Sequence, residues 1–349
     1  MSSRFPSPVN LQILNPLSYT AWNDLLSSNQ DTSFFHTSNW ARVLHESYNY
    51  KPLYFTEISN NRLKTLFPFM EVKGILSGKR GVSLPFSDYC EPVLEKEENS
   101  REVLDKLIAY GKSAGWKSIE IKSGNNLPEG LPFSTYYYLN TLNCSKNEEQ
   151  IFSTFRDSTK RNIKKAVREG VSIEISHSPE SVKEFTRMNC ITRKEHGLPP
   201  QPASFFKKIH EHIIEKDLGI VILASHNKKT IAGAIFFHFG KKAIYKYGAS
   251  DLTYQHLRAN NLIMWEAIRW YSKNGYQSFC FGRTAPSNKG LLQFKRGWGT
   301  EENCVRYYKY DLRNNSFITD SDRTHNKIFK KMPISLLKII GSLLYKQMG

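Results

Sequence analysis

The chain has 349 residues, of which 40% are hydrophobic and 23% charged. This composition is ordinary for a globular protein and excludes wholesale disorder, collagen and coiled coil. The length predicts two domains with a sizeable core, and the excess of 49 Lys and Arg over 32 Asp and Glu residues favours a polyanionic partner or surface.

The N-terminal residues 1–10 contain no apolar core, so we expect no secretory signal and a cytoplasmic protein. The five cysteines are widely spaced and never form a C-x-x-C pair, which predicts reduced, structural cysteines and neither a disulfide framework nor a metal site. Phosphate-loop, dinucleotide-binding, zinc-protease and hydrolase-elbow motifs are absent from the sequence.

Along the chain, one order of predicted elements occurs twice: a β-hairpin, a helix that ends in a glycine, an aromatic residue and a strand. The first copy comprises the hairpin Leu53–Met70 and the capping glycine Gly115, and the second comprises Gly219–Phe239 and Gly275. A helix that ends in glycine is common in α/β proteins, but the hairpin upstream of each copy favours a duplication. We therefore predict two α/β halves.

A polar stretch between the strand Tyr136–Leu142 and a helix predicted over Glu148–Glu169 separates the halves. One face of this helix is apolar, and cations crowd the remainder. Such a cluster binds phosphates electrostatically, although an ordinary solvated helix face has the same pattern. The cations are Lys160, Arg161, Lys164, Lys165 and Arg168.

The densest run of unusual residues extends over Tyr245–Gly299 and includes Phe281-Gly282-Arg283-Thr284 and Phe294-Lys295-Arg296-Gly297-Trp298. Together with Pro85-Phe86-Ser87-Asp88-Tyr89 and Arg161–Ala166, it resembles the FemABX family of aminoacyltransferases. The resemblance covers roughly residues 30–312 and is nearest to the FemAB-like proteins of exosortase and PEP-CTERM systems.

The resemblance implies an α/β fold of two tandem GNAT-like domains, each a mixed sheet with flanking helices, and this agrees with the duplication. We place the first domain at residues 1–145 and the second, with the transfer site, at 146–315. We expect residues 316–349 to form a basic C-terminal tail that contains an amphipathic helix.

The resemblance also implies the activity: an acceptor amine attacks an activated carbonyl, and an aminoacyl or acyl group is transferred as an amide. We expect no bound cofactor, an aminoacyl-tRNA donor, and an acceptor in a cell-envelope or exopolysaccharide precursor, including a lipid-linked saccharide. Two alternatives stay open: an N-acyltransferase that uses acyl-CoA, and an inactive basic module that binds RNA or glycan.

Lys295 matches the transfer-site lysine of the family and is our first candidate for stabilising the oxyanion. The alternative is that Lys295 and Arg296 form a basic edge beside a glycine-rich turn. Phe294 and Tyr247 are expected to contact substrate. Asp88 is a candidate general base for the acceptor amine, although a turn carboxylate that caps backbone N–H groups explains it equally well.

The segment that corresponds to the acyl-CoA pyrophosphate loop, Gln255–Asn261, contains no glycine, which favours the tRNA donor. Arg258 and Asn260 are candidates to bind a phosphate through their side chains, and Asn260 is alternatively a helix cap. Arg283 lies at a strand end, where its guanidinium is suited to an acceptor phosphate or carboxylate. Cys280 stands where relatives commonly carry Asp, and we interpret it as buried strand filler.

The C-terminal segment places Ile334, Leu337, Ile340 and Leu344 at helical spacing among lysines. Such a helix either lies on an anionic membrane surface or docks on the second domain. The first alternative predicts peripheral attachment at the inner face of the cytoplasmic membrane. The lysines are Lys327, Lys330, Lys331, Lys338 and Lys346.

Overall fold

The computed structural model describes residues 9–74, 77–95, 99–123, 126–319 and 332–348. These residues form two compact units. The first contains the described residues up to Tyr137 and those that follow Cys304 as far as residue 319, and the second contains Tyr138–Asn303 and most of the C-terminal helix.

The first unit is built on a mixed sheet in the order β1-β2-β3-β4-β6-β13, with β5 beside β3 and β14 beside β13. β2 and β3 form an antiparallel hairpin, whereas β4 and β6 run parallel. The strands and helices are β1 (Gln12–Leu14), β2 (Lys51–Ser59), β3 (Arg62–Gly74), β4 (Gly78–Val82), β5 (Val93–Leu94), β6 (Ser118–Ser123), β13 (Glu301–Asp311), β14 (Ser316–Phe317), α1 (Trp22–Ser27), α2 (Ser38–Tyr48) and α3 (Ser100–Ser113).

The second unit has the strand order β7-β12-β11-β10-β9-β8, and here too the hairpin β9/β10 is antiparallel while β11 and β12 run parallel. Its elements are β7 (Thr135–Asn143), β8 (Ser172–Ser176), β9 (Gly219–His226), β10 (Lys229–Phe239), β11 (Lys242–Ser250), β12 (Ser278–Thr284), α4 (Glu148–Ser153), α5 (Asp157–Arg168), α6 (Pro179–Glu195), α7 (Ala203–Ile209), α8 (Ala259–Lys273), α9 (Lys289–Arg296) and α10 (Ile334–Met348).

The predicted duplication is present in the backbone. α3 and α8 end at equivalent glycines, Gly115 and Gly275, whose φ angles are 72° and 74°. In each copy the N–H of the following aromatic residue, Trp116 or Tyr276, donates to the carbonyl five residues earlier. After this left-handed cap the chain enters β6 or β12, which runs parallel to β4 or β11, so both halves repeat the same antiparallel-to-parallel order.

The compact units do not follow the domain boundaries of 1–145 and 146–315. β7 precedes the predicted boundary, yet its residues Tyr138–Asn143 pair with β12 of the second unit. β13 belongs to the predicted second domain, yet Arg306–Asp311 pair with β6 of the first unit. Each unit is therefore completed by a strand from the other half of the sequence, which local patterning does not reveal.

The single helix predicted over Glu148–Glu169 is in fact two helices, α4 and α5. The hydroxyl groups of Ser153 and Thr154 bond back to carbonyls three residues earlier, and Arg156 is extended, with a ψ of 144°. The Arg156 N–H donates to Gly297 O instead of continuing a helix. The break allows α5 to turn and pack on α8 through Ile163 and Ala166.

The C-terminal helix α10 docks on the second unit. Leu337 and Tyr345 are buried, and Tyr345 receives a hydrogen bond from Arg193 and donates one to Pro199 O. A Cβ atom at Gly341 would lie 2.2 Å from the carbonyl oxygen of Pro200, so the helix backbone approaches this loop closely. The predicted cations Lys327, Lys330 and Lys331 lie outside the described residues. Across the described parts of the chain, no helix has the length and apolarity to cross a membrane.

His238 is a buried titratable group of the second unit. The residue is 5% exposed. Its ring nitrogens contact Tyr271 Oη at 3.1 Å and Asp217 O at 2.7 Å. The charge of His177 contributes to lowering its pKa. Burial lowers the pKa of His238 to about 4, because a charged imidazolium ring is less well solvated in the protein interior than in water.

Acidification from pH 6.5 to about 4 is therefore expected to destabilise the protein through His238. In this window the unfolded chain binds a proton that the folded chain does not, which amounts to about 3 kcal/mol of unfolding free energy. The His238→Gln variant should lack this part of the acid dependence, measured by urea unfolding across the window. The His256→Gln variant, changed at an exposed histidine, should retain it; an unchanged profile in His238→Gln contradicts the prediction.

Candidate active site

Strands β11 and β12 are parallel neighbours that separate toward their carboxyl ends. They pair only from Lys242 to Ile244 and from Ser278 to Cys280. Beyond this point β11 continues to Ser250 and β12 to Thr284 with no further pairing between them. Where two strands separate, their backbone groups are accessible to a ligand. In open α/β sheets, ligands bind at the carboxyl ends of the strands.

A cavity of about 180 Å³ lies at the carboxyl end of β11 and the first turn of α8. α5 and α9 contribute Asn162 and Phe294, and the start of β10 contributes Ile231 and Ala232. The first backbone N–H groups of a helix have no partner within it, and the helix dipole favours negative charge at this end. The cavity is thus suited to an anionic or strongly polar group.

Three of the predicted substrate-binding residues come together at this cavity: Arg258, Asn260 and Phe294. Arg258 precedes α8 in a left-handed conformation with a φ of 60°, and Asn260 Nδ2 donates to Ser250 Oγ at 3.3 Å. Asn260 is therefore not the residue that caps α8, since it lies inside the first turn. Its amide instead ties the helix to the end of β11.

Lys295 is buried, with 2% of its surface exposed. Its ammonium donates to Gly282 O at 2.7 Å and to Arg283 O at 3.3 Å. Both carbonyls lie on β12 beyond its last pair with β11, and Phe294, the preceding residue, lines the cavity. α9 thus holds a buried positive charge at the open end of the separated strands.

The packing of Trp298 holds α9 in this position. The indole is 0% exposed and lies 5.0 Å from the ring of Phe155 and 5.9 Å from that of Phe294. Gly297 lies against α5, where a Cβ atom would come within 2.6 Å of Thr159 Oγ1. The small residue therefore allows α9 to approach α5 closely.

Arg283 and Cys280 flank an irregularity of β12. The register with β7 shifts between these two residues, and Gly282 between them has a φ of 71°. Arg283 is exposed, whereas Cys280 is buried and its sulfur accepts a 3.4 Å hydrogen bond from the N–H of Gly282. Cys280 therefore contributes to the bulge that turns the Arg283 side chain to the surface.

Tyr247 occupies a different environment from the cavity. Its ring packs against Phe205 and Phe206 of α7 and Phe237 of β10, with centroids 5.6 to 6.2 Å apart. The ammonium of Lys246 lies 5.1 Å from the ring centroid. The tyrosine is thus part of an aromatic cluster on the α7 side of the sheet, and substrate binding by Tyr247 stays a prediction.

The cations of α5 lie on the side of the helix away from the core. Arg161 and Lys164 are exposed, and Lys160 is half-buried, with its ammonium donating to Ser153 O at 2.9 Å. Asn162, in the same run, lines the cavity. We call these three cations the basic surface of α5.

Asp88 belongs to the first unit and ends a strained loop. Leu84 and Phe86 have positive φ angles of 44° and 61°, which are costly for side chains of this size. The buried Lys122 donates to Leu84 O at 2.9 Å and to Ser87 Oγ at 3.4 Å. The hydroxyl group of Tyr307 donates to Asp88 O at 2.8 Å. These contacts fix the backbone at Asp88, a residue that is 8% exposed.

Sequence reasoning missed Asn162, Tyr254 and Lys122. Asn162 and Tyr254 line the cavity but stand next to more conspicuous residues, the cations of α5 and the segment Gln255–Asn261. Lys122 lies in a short strand with no motif around it, and only the tertiary contacts reveal that it is buried. The local signal was Asn162 itself, a polar residue between the cations of α5, on a helix that lines the cavity.

Comparison with known proteins supports the predicted fold and the predicted family resemblance. The family model described as "Acetyltransferase (GNAT) domain" matches residues 153–296, which run from the end of α4 to the end of α9. The chain is also similar to the solved structure "Crystal structure of FemX", with a TM-score of 0.66 and 14% identity, over 85% of this chain and 97% of that one. The predicted GNAT fold is confirmed.

Two relatives share the name "Lipid II:glycine glycyltransferase". The one from Staphylococcus haemolyticus is 21% identical over 225 residues, 44% of this chain and 54% of its own length. The one from Staphylococcus epidermidis (strain ATCC 35984) is 21% identical over 327 residues, 66% of this chain and 78% of its own length. The chain thus spans about half of the first relative. The predicted resemblance to the FemABX family is confirmed by these matches together.

Proposed function

We propose that the protein is a FemAB-like aminoacyltransferase, which moves an aminoacyl group from aminoacyl-tRNA to an amine of a cell-envelope precursor. The observation that carries this proposal is the cavity at the start of α8, bordered by Arg258 and Phe294, together with Lys295, the residue after Phe294, which is buried and bonded to Gly282 O. The relatives named for glycine transfer to lipid II support a peptidoglycan precursor as the acceptor.

In this reaction the acceptor amine attacks the ester carbonyl of the charged tRNA. A C–N bond forms, the carbonyl oxygen becomes an oxyanion, and the C–O bond to the ribose then breaks. The amine proton passes to a base, and the ribose hydroxyl regains a proton. We assign Lys295 to the oxyanion, since a charge held in a dry, fixed position requires no reorganisation during the reaction.

The dimensions and charges of the second unit favour tRNA as the donor. A cavity of about 180 Å³ is smaller than the roughly 300–1,000 Å³ that enclose drug-sized ligands, so it suits the aminoacyl end of a larger donor. We assign the basic surface of α5, the helix that also contributes Asn162 to the cavity, to contacts with phosphates of the nucleic acid. Arg283, exposed beyond the bulge of β12, is assigned to an anionic group of the acceptor.

An N-acyltransferase that uses acyl-CoA is the second candidate. One observation favours it: Arg258 and the first turn of α8 border the cavity where a pyrophosphate would meet free backbone N–H groups. Because the chain has no glycine in this turn, side chains rather than a closely approaching backbone would bind the phosphates.

Direct binding of the donor distinguishes these candidates. We expect charged tRNA to bind the purified protein far more tightly at about 50 mM than at about 200 mM salt, because each phosphate contact releases counterions. Acetyl-CoA is expected not to bind. If acetyl-CoA binds and charged tRNA does not, the protein is better explained as an N-acyltransferase. If neither donor binds, an inactive binding module is favoured.

The location of the protein is part of the proposal. A lipid-linked acceptor resides at the membrane, so an enzyme that modifies it gains from peripheral contact with the inner face of the cytoplasmic membrane. α10 is the element that we assign to this contact, because it carries lysines and apolar side chains at helical spacing.

A further inference from the structure

α10 carries a second apolar face, distinct from the one that docks. Leu336, Ile339 and Leu343 are 43%, 60% and 61% exposed, respectively. Their spacing of three and four residues places them in one row on the helix surface. We call this row the outer stripe of α10. Scattered exposed apolar residues are common, but three in a row on one helix mark a surface with a partner.

Docking does not require the outer stripe. The contacts that hold α10 on the second unit come from Leu337, Gly341 and Tyr345, which follow one another at four-residue intervals. At 100° per residue, the midpoint of this docked row lies on the side of the helix opposite to the outer stripe. The fold thus buries one apolar row and leaves the other in contact with solvent.

The charge of α10 identifies the kind of partner. The segment Ile334–Met348 contains Lys338 and Lys346, both exposed, and no Asp or Glu. Lys346 is three residues beyond Leu343, so it flanks the outer stripe. An apolar row with lysines and without acidic residues matches the headgroup region of an anionic bilayer, where the apolar side chains enter the acyl boundary and the ammonium groups meet phosphates.

We infer that the outer stripe of α10 is the surface by which this protein lies on an anionic membrane. The inference rests on the membrane contact proposed above and identifies its residues; it does not depend on the transfer chemistry. It also differs from the sequence-based prediction, in which Leu337 was one of the membrane-facing residues, because the structure buries Leu337 against the second unit.

A second copy of the chain is a less suitable partner. Two α10 helices that met symmetrically through their outer stripes would bring the lysines of both copies together, with no acidic residue of either α10 to neutralise them. Like charges at such a contact are unfavourable. An anionic bilayer has no such conflict, because its charge is opposite to that of the helix.

Vesicle co-sedimentation of the full chain tests the inference. The probes are vesicles of phosphatidylcholine with phosphatidylglycerol, and vesicles of phosphatidylcholine alone. We expect binding to the anionic vesicles and much weaker binding to the neutral ones. The Leu336→Ser/Ile339→Ser/Leu343→Ser variant should bind the anionic vesicles about 100-fold more weakly, because three side chains no longer enter the apolar layer.

The matched control is the Ile13→Ser/Val167→Ser/Leu252→Ser variant, which removes three exposed apolar side chains that are not adjacent in sequence. It should bind vesicles like the unchanged protein. Equal binding by all three proteins would overturn the assignment of the outer stripe while leaving membrane contact in place. Absence of vesicle binding by the unchanged protein would overturn both. A stripe-dependent dimer without vesicle binding would instead identify a second copy as the partner.

Binding of charged tRNA in solution separates this inference from the proposed function. The outer stripe lies on α10 and contributes nothing to the cavity at the start of α8. The stripe variant should therefore bind charged tRNA as the unchanged protein does. A variant that loses the vesicles but retains the donor supports the inference. Loss of donor binding in the stripe variant would show that the substitutions disturb the fold, and would contradict a surface role.

Discussion

Replacing Lys295 with methionine is expected to lower kcat for amide formation by about 100-fold to 1,000-fold, the cost of removing one preorganised donor from an oxyanion site. Methionine retains an unbranched side chain of similar length, so the packing around α9 changes little while the charge disappears. Since the oxyanion exists only in the transition state, the KM for charged tRNA should remain nearly constant. The measurement is steady-state transfer from charged tRNA to the lipid-linked acceptor.

The Lys295→Met variant also loses the hydrogen bonds to Gly282 O and Arg283 O. Leaving buried carbonyls unpaired costs about 1–3 kcal/mol, so thermal unfolding must be measured beside activity. The neighbouring Arg296→Gln variant is the control, because Arg296 is an exposed partner of Glu302 and should affect kcat little. A folded Lys295→Met enzyme with unchanged kcat would remove Lys295 from the mechanism.

Removal of the basic surface of α5 is expected to weaken binding of charged tRNA by roughly 100-fold to 1,000-fold at low salt. The variant is Lys160→Gln/Arg161→Gln/Lys164→Gln. Each lost phosphate contact also reduces the slope of log K against log salt by about 0.7 to 0.9. The readout is therefore the salt dependence of binding, which a variant with a purely structural defect would not alter in this proportional manner.

The matched control removes the same number of charges from other helices and loops of the second unit. Lys183, Lys207 and Lys216 are all exposed, and their triple replacement with glutamine leaves the net charge equal to that of the α5 variant. If binding depends only on the overall excess of cations, both variants should weaken it equally. That result would contradict a specific tRNA surface on α5 and favour non-specific attraction.

Local patterns predicted the repeated elements accurately because their determinants are local. The hairpins at Leu53–Met70 and Gly219–Phe239 consist of largely apolar runs on either side of a short polar turn, and the structure contains β2/β3 and β9/β10 there. The capping role of Gly115 and Gly275 follows from a backbone conformation that glycine adopts without strain. These features depend on neighbours within a few residues of sequence.

The structure departs from the sequence-based expectations where distant residues decide the outcome. The helix over Glu148–Glu169 breaks because the Arg156 N–H donates to Gly297 O, which lies far along the chain. The boundary near residue 145 differs because β7 pairs with β12 and β13 pairs with β6. The burial of Lys295 likewise depends on a distant segment, because β12 supplies the carbonyl that its ammonium contacts.

By itself the sequence determined the fold class, the duplication and the family resemblance, since these follow from periodicity, capping glycines and the order of short motifs. The sequence also identified Arg258, Asn260 and Phe294 as candidate substrate-binding residues, and the structure places all three at one cavity. Only the tertiary structure decided that Lys295 is buried and which apolar row of α10 remains exposed. Burial depends on what packs against a side chain from elsewhere in the chain, and periodicity along one helix does not reveal its neighbours.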